Sequence, residues 1–112
     1  MGHLYYGNSA EPIEIPDQLL AHLRVVVATK LRRNESFTLS WHHLEDIPGG
    51  ISTIWLQPSI PLRFVLHSEA QVIDKEILER LATASNSSRG LTVDLDMFDT
   101  RELVESSIVR AA

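Results

Sequence analysis

The chain has no cysteine. That excludes a disulfide framework, a thiolate nucleophile and any cysteine-built zinc site, and it fits a reducing compartment. Lysine is nearly as scarce: Lys30 and Lys75 are the only two in 112 residues. Ten basic residues face 15 acidic ones, for a formal net charge of -5 and a pI near 5.4. A general nucleic-acid binder carries a basic domain instead. No apolar run approaches the ~18 residues of a membrane helix. Met1 to Ala10 lacks the basic-then-apolar order of a secretory signal. A soluble cytoplasmic protein with no membrane partner is expected. No serine sits in a Gly-x-Ser-x-Gly elbow. Gly49-Gly50 is not followed by the Gly-Lys-Ser/Thr of a phosphate loop.

What is present is a foldable pattern, with 44% hydrophobic and 22% charged residues. His3 to Tyr6 and Ile13 to Ile15 read as a hairpin around Gly7-Asn8-Ser9. Pro16 and Asp17 open a helix to about Arg33, striped by Leu19, Leu20, Leu23, Val26, Val27 and Leu31. Ser36 to His42 alternates, with Phe37, Leu39 and Trp41 opposite Ser36, Thr38 and Ser40. Strands over Ser52 to Gln57 and Leu62 to His67 follow, joined by Pro58-Ser59-Ile60-Pro61. Short links make these three strands an antiparallel meander. Asp74 caps a helix over about 74–86, and Leu91 to Leu95 is a last strand. The expected fold is α+β. An antiparallel sheet in β-β-α-β-β-β-α-β order carries two main helices on one face. It occupies 1–95 as one domain; 96–112 is an acidic tail whose Asp99 and Glu102 have the spacing of a helix capping box.

Such a sheet leaves one face bare. Ser36, Thr38 and Ser40 belong there, with Thr53, Trp55 and Arg63 as neighbours. An indole on a hydroxyl-lined face marks an interface. Lys30, Arg32 and Arg33 form the basic cluster. They suit the negative end of a helix dipole, or a phosphate. His42-His43 with Glu45 and Asp46 matches no compact zinc spacing, since adjacent strand residues face opposite ways. His3, His22 and His67 stand alone in the sequence. No catalytic residue, metal ligand or cofactor is assigned.

Several stretches together resemble a family of small uncharacterised actinobacterial proteins, common in Microbacteriaceae, that carry a domain of unknown function. They are Met1-Gly2-His3-Leu4-Tyr5-Tyr6-Gly7, Leu20-Ala21-His22-Leu23, Lys30-Leu31-Arg32-Arg33, Glu35-Ser36-Phe37, Ser40-Trp41, Ser52 to Leu62, Ala84, and Asn86-Ser87 with Gly90-Leu91. The chain departs from that pattern at Gln57, where the family suggests histidine, and in its acidic tail. The resemblance implies a label of ATP-dependent DNA ligase. Ligase chemistry needs a Lys-x-Asp-Gly nucleophile. Lys30 precedes Leu31-Arg32-Arg33, and Lys75 precedes Glu76-Ile77-Leu78.

The sequence therefore points to a non-enzymatic interaction module, homodimeric, using the bare face or the tail; a second copy of the chain, or the tail from about Met97 to Val109, is expected to pack over Trp55. The second reading is an accessory that binds DNA or a nucleotide phosphate, and the third a small hydrolase or metal enzyme using His42, His43 or His67. Incubation with labelled ATP should leave no covalent adenylate; an adduct on Lys30 or Lys75 would contradict this reading.

Overall fold

A computed structural model describes residues 1–42, 50–67 and 72–95. The elements are β1 (Gly2–Tyr6), β2 (Ile13–Ile15), α1 (Asp17–Arg32), β3 (Phe37–His42), β4 (Ile51–Leu56), β5 (Leu62–Val65), α2 (Lys75–Ser85) and β6 (Leu91–Val93). The α+β class and the element order are those expected. The tail from residue 96, and His43, Glu45 and Asp46, lie outside the described residues.

The strands form two three-stranded sheets rather than one, in the orders β2-β1-β5 and β4-β3-β6. The expected meander breaks after β4. β3 and β4 pair antiparallel from Phe37↔Leu56 to His42↔Ile51, but β5 pairs with β1. The Pro58-Ser59-Ile60-Pro61 link does turn, with the Ile60 N–H on the Gln57 carbonyl at 3.1 Å. The Pro61 carbonyl then accepts the Gly7 N–H at 2.9 Å, which places Leu62 alongside Tyr6 rather than back along β4. The free side of β3 is taken by β6 in parallel, with Leu39 beside Leu91 and Trp41 beside Val93. Parallel pairing requires a long crossover, and the chain between β3 and β6 supplies it.

Both sheets and both helices share one core. Leu4 and Ile15 come from the first sheet; Phe37, Leu39, Trp41, Leu56, Leu91 and Val93 from the second. Leu19, Leu20, Leu23, Val26 and Val27 come from α1, and Leu81 from α2. The alternation read in β3 holds: Phe37, Leu39 and Trp41 are buried, Thr38 is half-buried and Ser36 exposed. Ser40 is also buried.

Two buried polar side chains on α1 fasten α2 at both ends. His22, which stands alone in the sequence, is fully enclosed. Its Nδ1 lies 2.7 Å from the Gln18 carbonyl and its Nε2 3.0 Å from the Asp74 amide. A carbonyl only accepts and an amide only donates, so the ring is the neutral Nδ1–H tautomer. Asp74 in turn caps α2 through Glu76 and Ile77. At the other end, Lys30 Nζ donates to Asn86 Oδ1 at 2.7 Å and pairs with Glu35 at 2.9 Å. The first contact sits early in both helices and the second late in both. The helices therefore run in the same sense, and their negative ends meet. α2 has no basic residue in its last turn, so Lys30 serves both dipoles.

Gly90 sets β6 against β3. Its φ is +77°, and a Cβ there would collide with the Thr38 side chain and lie 2.9 Å from the Thr38 carbonyl. Left-handed backbone costs roughly 1–2 kcal/mol and overpacking roughly 1–3. Gly90→Ala should lower the unfolding free energy by roughly 2–4 kcal/mol in urea titrations; a loss within experimental error would show that β6 does not need this approach.

Candidate functional site

Alternation decides what the second sheet shows to solvent. Cross-strand pairs share a face. Thr38 lies opposite Trp55, Ser40 opposite Thr53 and His42 opposite Ile51. Their neighbours Phe37, Leu39, Ile54 and Leu56 turn to the core. The outward face thus carries Trp55 at 50% exposure and Ile51 at 56%, with Thr53 exposed between them. Ser36 lies just before β3 and is also exposed. Sequence reasoning missed Ile51, although its even spacing from Thr53 and Trp55 carried the signal.

This face is built firmly. Ser40 Oγ and Thr53 Oγ1 are 2.7 Å apart and tie β3 to β4. The Tyr6 hydroxyl donates to the Trp55 carbonyl at 2.6 Å, joining the first sheet to β4. The indole Nε1–H reaches Gln57 Oε1 at 3.4 Å, and Gln57 Nε2 donates to Ser59 Oγ at 3.0 Å. Gln57 therefore helps orient Trp55.

The two candidate groups from the sequence partly converge. Trp55, Ser36, Thr38 and Lys30 line one cleft of about 260 Å3, together with Asn86 and Gly90. Arg63 is not among them. It lies on β5 in the other sheet, 5.3 Å from the centre of the Tyr5 ring, and borders a separate hollow near the first hairpin turn. Placing it beside Trp55 assumed the meander that the two-sheet pairing replaces. The basic cluster also divides. Lys30 turns inward, 8% exposed and 5.6 Å from the centre of the Phe37 ring, whereas Arg32 and Arg33 are exposed.

The histidines separate by role. His22 is buried in the α1–α2 joint. His3 and His67, 64 positions apart, meet with Nδ1 of one 2.9 Å from Nε2 of the other. No local spacing could have revealed that contact. Among the described residues, no group of three or more His, Asp or Glu side chains is placed to hold a metal. None of the described helices is long and apolar enough to cross a membrane.

Residues 1–96 match the domain of unknown function DUF7882, and the chain belongs to that family. No curated protein and no solved structure matches the chain.

One carboxyl near the cleft is perturbed. The hydrogen bond from Lys30 holds Glu35 below the ordinary glutamate range, helped by the charges of Lys30 and Arg33 and opposed by desolvation. A carboxyl depressed in the folded state stabilises above its unfolded pKa. That contribution disappears as pH falls through the folded value. Glu35→Gln should therefore be less stable than the parent at neutral pH, with the gap closing in acid. A gap independent of pH in denaturant titrations would show that the pairing adds no stability.

Proposed function

We propose that this member of the DUF7882 family is a non-enzymatic cytoplasmic interaction module. It acts as a homodimer joined through the outward face of β4, with residues 1–95 forming the module and 96–112 a tail. The supporting observation is the half-exposed Trp55, held in place on β4, which is an edge strand among the described residues. Edge strands are commonly protected by charge, proline or shortness. β2 and β6 have three residues each, and β5 carries Arg63. β4 has six residues, Ile51 to Leu56, with no charge and no proline. Among the described residues no strand pairs with its outer side. A second copy related by a two-fold axis would extend the sheet and bring Trp55, Thr53 and Ile51 of each chain together, with Thr38, Ser40 and Ser36 as the polar surround.

The phosphate-binding reading, for DNA or a nucleotide, has less support. Lys30 is engaged by Glu35 and Asn86. The negative ends of two helices converge there, which disfavours an anion. Arg32 and Arg33 remain as its candidates.

Sedimentation equilibrium tests the dimer. Trp55→Ala should weaken association by roughly 30-fold, the scale of a central aromatic anchor. Arg63→Ala, in the other sheet, should change it far less. A parent chain that stays monomeric at tens of micromolar would overturn the proposal, and so would equal effects of the two substitutions.

A further inference from the structure

The outward face of the first sheet carries a second arrangement, independent of Trp55. β1 and β5 pair antiparallel with His3 opposite Val65, so His67 falls two positions further along on the same side. The two rings stand nearly perpendicular, at 84° with centroids 5.0 Å apart, and their facing nitrogens are 2.9 Å apart. The approach is anchored from below. The Asp17 carboxylate, in the first turn of α1, accepts the His67 backbone N–H at 3.2 and 3.3 Å. The backbone therefore fixes where the second imidazole stands. Glu14 on β2 lies directly opposite His3 in the register and is exposed. Two imidazole nitrogens thus converge at the surface of a chain of net charge -5, His67 exposed and His3 half-buried.

We propose that His3 Nδ1 and His67 Nε2 form an open chelating site for a borderline divalent transition ion, with Zn2+ as the representative. Neutral imidazole is a common ligand for such ions through either nitrogen. Zinc–nitrogen bonds of about 2.0–2.1 Å in tetrahedral geometry set the two nitrogens about 3.4 Å apart. Reaching that from 2.9 Å needs a small rotation of the exposed His67 ring or the half-buried His3 ring. In the free pair, one imidazole donates and the other accepts. The ion needs both facing nitrogens bare, so one ring moves its proton to its far nitrogen and no net proton is released from a neutral pair. Water fills the remaining positions. Arg63 on the same face is drawn to the Tyr5 ring, and its charge opposes the ion from that side. With two firm ligands the ion exchanges readily, unlike a closed structural zinc. Protons compete for the same nitrogens, so affinity falls as the pH falls.

Calorimetric titration of the metal-free full chain with Zn2+ tests this, alongside NMR of the imidazole signals in the unmodified chain. The expected result is one ion per chain with a Kd on the order of 10 µM at pH 7.5. His3→Gln and His67→Gln should each weaken binding at least tenfold, and His42→Gln should leave it unchanged. The NMR readout does not depend on any variant: Zn2+ should shift the His3 and His67 ring signals and spare those of His22. The proposal fails if those two rings do not respond, if binding persists undiminished in both variants, or if no ion binds below millimolar concentration.

Discussion

The structure depends on the fastening of α2 to α1 by two buried polar side chains. His22 and Lys30 lie eight positions apart on one helix and hold the start and the end of the other. Each contact compensates a group that helix formation leaves over. His22 accepts an amide N–H at the entry to α2, and Lys30 supplies a cation where two carbonyl-rich ends converge. A polar group in the core is costly unless partnered. Among the described residues, no buried side-chain nitrogen or oxygen lacks a partner. The same-sense arrangement of the helices also puts the α2 C-terminus beside β3, from which Gly90 turns the chain into its parallel place next to Leu39.

That arrangement decides which surfaces are left. With α2 and β6 against β3, the inner side of the second sheet is filled by Phe37, Leu39, Leu56, Leu91 and Val93. Period-two alternation then commits Thr38, Ser40, Thr53 and Trp55 to the outside. The Tyr6 hydroxyl and Gln57 hold this exposed tryptophan in place, as suits a surface that meets a partner in a defined geometry. The two outward faces differ in kind. One presents an indole and aliphatic groups among hydroxyls, and the other presents imidazoles, a phenol ring and charge.

Local features were legible in the sequence. The phase of β3, the Asp74 cap and the outward side of Trp55 all follow from spacings within one element. Features that join distant segments were not. The Pro-Ser-Ile-Pro link looked like a hairpin turn because it is short; it does turn, but it delivers β5 to β1, and Arg63 was assigned to the wrong sheet as a result. His22 stood alone in the sequence because its partner is 52 positions away. Lys30 was legible as a dipole partner for its own helix. Its second partner, α2, was hidden because α2 brings no cation of its own to that end. The His3–His67 contact needed the β1–β5 pairing, which no turn signal announces.

The central claim is that a second copy of the chain covers Trp55. Trp41→Phe would leave Trp55 as the sole tryptophan. Its emission can then be followed across protein concentration, with iodide as quencher. The account predicts red-shifted, readily quenched emission at high dilution. Emission should shift to the blue, and quenching should weaken, over the same concentration range in which the chain dimerises. Emission and quenching that stay constant across that range, whether exposed or shielded throughout, would contradict it.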